Sequence, residues 1–207
     1  MSELTCFKAY DVRGEIGVNI DEDIAYRIGR AVAQHFSAKS VVIGFDARET
    51  SPAFAAAASQ GVRDAGADVI NIGMAGTEEM YWAVTEFGAC AGIEVTASHN
   101  PINYNGMKLV KSGSVPISGD TGLNAIKEKA EALEDSFVSE RLAHYTEGAL
   151  IDADAFFNGT AHVKEDKLSE TDKYAVKSCM SDYVSHMLSY VNLSNFTPLK
   201  EIGRAHV

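Results

Sequence analysis

Short apolar runs alternate with stretches of helical spacing over residues 21–133, and this alternation predicts the order of the elements. The apolar runs of strand length cover residues 40–45, 67–72 and 89–95, and a shorter one covers 106–110. A polar or glycine-containing loop separates each run from the helical stretch beside it. This rhythm predicts an α/β fold.

Four helices are predicted between the strands. Asp21 is a cap for a helix that runs to about Phe36, with Ile24 and Ile28 on its apolar side. Ser51 and Pro52 mark a second start, as cap and first helical residue, and that helix stops near Gly66. The third helix opens at 77–79 with acidic residues that match the helix dipole, and the fourth covers 120–133.

Because strands joined through helices pair in parallel, the segment from residue 40 to 96 predicts a mostly parallel sheet with helices on both faces. The composition changes near residues 146–148, and a helix containing Tyr183, Met187 and Tyr190 follows later. We therefore divide the chain into a first domain at 1–148, a linker and incomplete second α/β domain at 149–201, and a tail at 202–207. The tail resembles a translated sequencing adapter, so we predict that it is not native and exclude it from functional reasoning.

The composition narrows the classes of partner and compartment. A formal net charge of -11 disfavours nucleic acid and anionic membranes as partners, because both attract clustered Lys and Arg. Cys6, Cys90 and Cys179 have no paired metal spacing, which indicates free thiols in a reducing compartment. The amino terminus has neither the basic start nor the apolar run of a secretory signal, so we expect a cytoplasmic protein.

Ser98 is the candidate for chemistry, because it lies in the loop that follows the apolar strand at 89–95. Pro101 cannot continue the strand ladder, so the hydroxyl comes in a sharp turn at a strand end, where ligands of open α/β sheets collect. A serine there either attacks an acyl carbon or carries a phosphoryl group. His99 is adjacent, and neighbouring side chains of an extended segment point to opposite sides, so His99 is poorly placed as a base for Ser98.

The Gly-x-Ser-x-Gly elbow of α/β-hydrolases is also absent, which leaves phosphoryl transfer as the favoured chemistry. A phosphoserine needs cations around it. Arg13, Arg48 and Lys108 lie at element ends, and we expect them to converge on Ser98. Arg48 has an equally weighted alternative, a structural ion pair with Asp46 that fixes its own loop.

Four motifs in order resemble the amino-terminal domain of the bacterial α-D-phosphohexomutases, in the phosphomannomutase/phosphoglucomutase branch. They are Phe-Lys-Ala-Tyr-Asp-Val-Arg-Gly at 7–14, Gly-Phe-Asp-Ala-Arg at 44–48, Thr-Ala-Ser-His-Asn-Pro at 96–101 and Tyr-Asn-Gly-Met-Lys at 104–108. The resemblance covers roughly residues 4–200 and is strong to about 150.

The resemblance implies an isomerase that interconverts hexose 6-phosphate and hexose 1-phosphate through a phosphoserine and a hexose 1,6-bisphosphate. Ser98 would be that phosphoserine and, through its phosphate, one ligand of Mg²⁺. Lys108 would be the general acid or base at the sugar hydroxyl, and Arg13 and Tyr10 its partners in binding substrate. His99 would position groups or transfer protons, a role that we weigh equally against simple packing.

The chain also departs from the family pattern. The Asp-Gly loop that binds magnesium, the Gly-Glu-rich loop that reads the sugar and the Arg-Ser-rich loop that holds the second phosphate do not occur in it. We therefore expect this chain to be inactive alone, although the complete protein would be active. The alternative function is a non-catalytic phosphosugar-binding module. For the enzyme, mannose, glucose and glucosamine phosphates all remain open as substrates, and the residues of the motifs at 10–14 and 96–101 favour mannose by resemblance.

Overall fold

The structure, a computed structural model, describes residues 3–143, 150–152, 179–192 and 194. Seven strands lie within this part of the chain: β1 Val12–Glu15, β2 Ser40–Phe45, β3 Asp68–Met74, β4 Ala91–Val95, β5 Tyr104–Lys111, β6 Val115–Pro116 and β7 Leu150–Asp152. The helices are α1 Glu22–Phe36, α2 Ser51–Asp64, α3 Thr77–Glu86, α4 Leu123–Glu131, α5 Asp135–Ala143 and α6 Met180–Ser189.

The strands form one sheet in the order β1-β5-β4-β2-β3-β7, with β6 beside β5. β4, β2, β3 and β7 run parallel, whereas β5 is antiparallel to β4, β1 and β6. The α/β class predicted from the sequence is confirmed. The sheet is more mixed than predicted, because the short loop after β4 turns the chain directly back into β5 without a crossover helix.

Two apolar layers cover the two faces of the sheet. The larger contains Ile28, Phe54 and Ile93 and lies under α1 and α2, and the smaller contains Met80 and Ile72 and lies under α3. Helices therefore lie on both faces, as predicted. Side chains alternate between the faces along each strand, so even-numbered residues of β4 point to the α3 face.

Most element bounds follow the sequence pattern, and the exceptions have local causes. Asp21 caps α1 as predicted, accepting a hydrogen bond from Ile24 N at 2.9 Å. Ser51, predicted as a cap, is instead the first residue of α2 after Thr50, and its hydroxyl donates to Asp46 Oδ1 at 2.6 Å. The segment 7–14, interpreted as a loop, contains the start of β1, because β5 offers it a strand edge.

The structure describes only part of the region beyond the domain boundary predicted at residue 148. β7 pairs with β3 beyond the boundary predicted at 148, and the helix predicted around Tyr183 is confirmed as α6. The predicted tail at 202–207 and most of 149–201 lie outside the described residues. None of the described helices combines the length and apolar composition that a bilayer crossing requires.

Candidate active site

Ser98 occupies a tight turn directly after β4, in the segment 96–101 that we call the Ser98 loop. Its backbone is left-handed, with φ of 53°, a region that non-glycine residues rarely adopt. Ser98 N donates to Thr96 Oγ1 at 2.9 Å, and Asn100 N donates to Ala97 O at 3.0 Å. These bonds hold the turn, and the Ser98 side chain is exposed at its tip.

The left-handed turn changes the relation between Ser98 and His99. His99 Nδ1 lies 3.3 Å from Ser98 Oγ, within hydrogen-bonding distance. The expectation that neighbouring side chains point apart was wrong here, since it assumed an extended backbone and Ser98 is not extended. The imidazole is therefore within reach of the serine oxygen for exchange of a proton.

Arg48 holds the Ser98 loop from the neighbouring strand. Its guanidinium donates to four backbone carbonyls, those of Ser98 at 2.9 Å, Asn100 at 2.6 Å, Pro101 at 2.8 Å and Tyr104 at 3.1 Å. Because the planar guanidinium has five donors in a fixed arrangement, it can bind four carbonyls at once, whereas a lysine ammonium has only three donors. Arg48 thus contacts the backbone of the loop rather than the Ser98 hydroxyl.

The Arg48 clamp is anchored in turn by Asp46. Asp46 accepts a hydrogen bond from Arg48 N at 3.0 Å, and its other oxygen lies 3.4 Å from Arg48 Nε. Asn105, which is fully buried, joins this network by donating to Thr50 Oγ1 at 2.8 Å and to Ser51 Oγ at 3.1 Å. The structural ion pair considered for Arg48 is therefore present, together with loop contacts that the sequence did not reveal.

Arg13 reaches the same loop from the opposite side. It lies on β1 in register with Gly106, whose carbonyl accepts from Thr96 N at 3.0 Å. Its guanidinium donates to the carbonyl of Ala97 and pairs with Asp11. Two of the three predicted cations, Arg13 and Arg48, therefore contact the Ser98 loop.

Lys108, the third predicted cation, lies on β5 in register with Glu94 of β4. It is two residues from Gly106 on the same strand, so its side chain is on the sheet face that carries Arg13. In the described part of the chain its amine makes neither a hydrogen bond nor an ion pair. Lys108 thus lies on the same sheet face as Arg13, and among the described residues its amine makes no hydrogen bond to the Ser98 loop.

The remaining predicted site residue, Tyr10, is on the surface with 78% of its side chain exposed. A cavity of about 410 Å³ lies against the Ser98 loop, lined by Asp46, Ala47, Arg48, Ser98, Asn100 and Ile102. Ile102, at its rim, is also 78% exposed. The serine hydroxyl, loop carbonyls and a guanidinium thus meet at one accessible concavity.

The described residues do not form a magnesium site. No group of three or more His, Cys, Asp or Glu side chains in this part of the chain could hold a metal ion. A serine hydroxyl alone is a poor ligand for Mg²⁺, which prefers an octahedral set of oxygen ligands that includes carboxylates. A phosphate on Ser98 would add a charged oxygen ligand to such a set.

Residues 5–136 match the family model described as phosphoglucomutase/phosphomannomutase, alpha/beta/alpha domain I. The chain belongs to the phosphoglucomutase/phosphomannomutase family. It is 45% identical over 206 residues to a phosphomannomutase of Salmonella typhimurium, a match that covers 99% of this chain and 39% of the relative. A Klebsiella pneumoniae phosphomannomutase is 56% identical over 131 residues, which are 63% of this chain and 83% of the relative.

A solved structure supports the same assignment at the level of the fold. A phosphoglucomutase/phosphomannomutase family protein from Burkholderia thailandensis superposes with a TM-score of 0.67 at 27% identity, covering 94% of this chain and 38% of that chain. The family resemblance read from the four motifs is confirmed. This chain spans about two fifths of the length of the Salmonella relative.

The sequence interpretation missed Glu94, the most unusual carboxyl group near the site. Glu94 is 1% exposed, and neither of its carboxyl oxygens has a hydrogen-bond partner. Burial, with a smaller contribution from the acidic side chains of Asp46, Glu79 and Glu78, raises the pKa of Glu94 to about 9. The available signal was a single charged residue inside the otherwise apolar strand that precedes Ser98.

Proposed function

We propose that this chain is the phosphoryl-carrying domain of a phosphohexomutase of the phosphomannomutase type, with Ser98 as the residue that carries the phosphate. The observation that carries the proposal is the Ser98 turn, in which an exposed hydroxyl is presented by a strained backbone that two arginines hold in place. Strained conformations of this kind persist where the surrounding contacts over-determine them. The names of the relatives favour mannose phosphate as substrate.

The proposed reaction has two half-reactions that are mirror images. In the first, a hydroxyl of the hexose monophosphate attacks the phosphorus on Ser98, so a sugar O–P bond forms and the Ser98 O–P bond breaks. Lys108 takes the proton from the sugar hydroxyl, and His99, at 3.3 Å, gives a proton to Ser98 Oγ. In the second, Ser98 takes the other phosphoryl group of the hexose 1,6-bisphosphate, and both protons return.

The proposed roles of the arginines differ from each other. Arg48 donates its hydrogen bonds to four carbonyls, so it is a positioning residue that fixes the turn. Arg13 donates to the carbonyl of Ala97 in the Ser98 loop and pairs with Asp11, so its positive charge lies beside the proposed phosphate carrier. We assign Arg13 to substrate binding, together with Tyr10 at the exposed edge.

Mg²⁺ also remains part of the proposal. Its expected ligands are the Ser98 phosphate and groups outside the described residues. We further propose that the 207-residue chain alone does not interconvert mannose 6-phosphate and mannose 1-phosphate, because it covers only 39% of the relative's length.

Mass spectrometry after incubation with glucose 1,6-bisphosphate tests the proposal. The chain is fused, at the last residue aligned with the Salmonella phosphomannomutase, to the remaining residues of that relative. Tryptic peptides of the fusion protein are then analysed for phosphate. We expect one phosphate on Ser98, none in Ser98→Ala, and unchanged labelling in the matched loop variant Ser112→Ala. The fusion should interconvert mannose phosphates faster than glucose or glucosamine phosphates, whereas the isolated chain should not.

Two outcomes would contradict the proposal. Saturable binding of mannose 1-phosphate without any covalent phosphate on Ser98 would identify a non-catalytic phosphosugar-binding module. Turnover by the Ser98→Ala fusion at the rate of the unmutated fusion would exclude Ser98 as the phosphate carrier.

A further inference from the structure

Asn105 and Ser51 are two fully buried polar residues that connect to the Ser98 loop through hydrogen bonds. The Asn105 amide nitrogen donates to Ser51 Oγ at 3.1 Å, and Ser51 Oγ donates to Asp46 Oδ1 at 2.6 Å. The same Asp46 oxygen accepts from Arg48 N at 3.0 Å, and the Arg48 guanidinium binds the carbonyl of Ser98. We call this series of four residues, from Asn105 through Ser51 and Asp46 to Arg48, the Asn105 relay.

A backbone group fixes the direction of the relay at its Asn105 end. Gly106 N donates to Asn105 Oδ1 at 2.8 Å, and a backbone N–H can only donate. The amide oxygen of Asn105 must therefore face Gly106, which turns its nitrogen toward the hydroxyls of Thr50 and Ser51. Asn105 thus supplies two donors to the residues at the start of α2.

Asp46 fixes the direction at the other end. A carboxylate can only accept, so the hydroxyl proton of Ser51 goes to Asp46. Ser51 Oγ then accepts from the Asn105 amide with a lone pair. Because a hydroxyl has one proton, Ser51 cannot donate fully to Asp46 and to a second acceptor at the same time. The relay therefore works only with a donor at position 105.

Solvent does not reach the Asn105 end of the relay. Asn105 and Ser51 are both 0% exposed, whereas the side chains of Asp46 and Arg48 are 24% and 11% exposed. A hydrogen bond lost at the buried end leaves a polar group unsatisfied, while groups at the open end can rearrange with water. The buried half of the relay therefore holds the orientation of the half that contacts the Ser98 loop.

We propose that Asn105 and Ser51 are positioning residues for phosphoryl transfer at Ser98, which act through Asp46 and Arg48 and not on the substrate. In the intact relay, Asp46 holds Arg48 in the orientation from which it donates to four carbonyls. When the relay is broken, Asp46 turns away and the Ser98 oxygen loses its fixed position. The role in transfer rests on the proposed function, whereas the effect of the relay on Arg48 does not.

Asn105→Asp breaks the relay with almost no change in side-chain shape. The new carboxylate can only accept, so it competes with Asp46 for the single proton of Ser51. Asn71→Asp is the matched control, because Asn71 is also buried on a strand and its Oδ1 also accepts from a backbone N–H, at 3.0 Å. Both variants introduce a buried carboxylate, and only one of them lies in the relay.

Ser51→Ala breaks the relay one residue further along. It removes both the donor to Asp46 and the acceptor for Asn105. Ser59→Ala is the matched control, because Ser59 is buried in the same helix and its hydroxyl donates to Ala55 O at 2.7 Å. Each control variant removes or alters a similar buried group away from the Ser98 loop.

Amide hydrogen exchange of the 207-residue chain tests the relay without any phosphoryl chemistry. The bond from Arg48 N to Asp46 Oδ1 protects the Arg48 N–H from exchange with solvent. We expect Asn105→Asp and Ser51→Ala to speed exchange of this N–H by about tenfold or more. In Asn71→Asp and Ser59→Ala its exchange should change by less than about threefold.

Kinetics of the fusion with the remainder of the Salmonella phosphomannomutase test the positioning role. We expect both relay variants to lower kcat for mannose 1-phosphate by about ten- to a hundredfold with KM within about twofold, because positioning is lost and the binding groups remain. Both control variants should keep kcat within about twofold. Urea unfolding of all four variants shows whether each relay variant and its control lose similar stability, so that incomplete folding does not explain a lower kcat.

Equal Arg48 exchange in the relay variants and their controls would overturn the inference, as would faster exchange with kcat unchanged. If Asn105→Asp does not fold, the pair of Ser51→Ala and Ser59→Ala decides alone. A fusion without phosphate on Ser98 would contradict the proposed function and leave the exchange result intact. Phosphate on Ser98 together with equal exchange would contradict only the inference.

Discussion

Arg48 Nη2 donates a hydrogen bond to the carbonyl oxygen of Ser98 at 2.9 Å, although 50 residues separate them in the chain. The same guanidinium binds three further carbonyls of the segment that turns from β4 into β5. One side chain after β2 thus fixes the backbone conformation of the proposed phosphate carrier. This explains how a left-handed serine remains in place without a glycine.

Arg48→Lys should destabilise the chain clearly. Lysine keeps the charge but cannot place donors on four carbonyls at once, and each lost bond to a charged donor leaves a carbonyl to be solvated again. We expect a loss of about 2–3 kcal/mol in the free energy of unfolding, measured with urea.

Arg30→Lys is the matched control, because Arg30 donates to one carbonyl, that of Asp64, at 2.7 Å. Its cost should be about 1 kcal/mol or less. Equal losses in the two variants would mean that the four contacts of Arg48 do not stabilise the loop.

Ser98→Gly should be more stable than Ser98→Ala, although both lack the hydroxyl. The φ of 53° at this position strains any residue with a Cβ atom, whereas glycine adopts it freely. After allowing for the greater flexibility of glycine in the unfolded chain, we expect a difference of about 0.5–1 kcal/mol in thermal unfolding. Ser112 has no positive φ, so Ser112→Ala should be at least as stable as Ser112→Gly. If Ser98→Ala is likewise at least as stable as Ser98→Gly, the backbone at Ser98 is not strained.

The motifs and periodicity predicted the class, the order of elements and Ser98 at a strand end, because these depend on local pattern. The contacts of Arg48 with four carbonyls and the proximity of His99 to Ser98 were not predictable, because both depend on the backbone conformation of a loop. Glu94 was visible as a charge in an apolar strand. The absence of a hydrogen-bond partner for its carboxyl, however, depends on which side chains the fold places between Gly44 and α3.

Gly61→Ala should separate α1 from α2. A Cβ atom at Gly61 would overlap the carbonyl oxygen of Tyr26 in α1, which is backbone and cannot move aside without shifting the helix. We expect a loss of about 2–4 kcal/mol in urea unfolding. Gly66→Ala is the comparison, since its Cβ would meet no atom within 4 Å and the cost is only that of its φ of +84°. The close helix contact would be disproved by a Gly61→Ala cost no greater than the cost of Gly66→Ala, about 1 kcal/mol.

Glu94→Gln should stabilise the chain at neutral and mildly alkaline pH. The folded-state pKa of about 9 exceeds the ordinary value of 4.5, so the folded chain keeps a proton that the unfolded chain releases. The stability of the unmutated chain should therefore fall as pH rises from about 4.5 towards 9, and that loss is absent in the glutamine variant. At pH 5 the two chains should differ little, and by pH 8 the variant should be more stable by about 4 kcal/mol, from paired urea unfolding curves. A difference that stays constant between pH 5 and pH 8 would show that Glu94 titrates alike in the folded and unfolded chains.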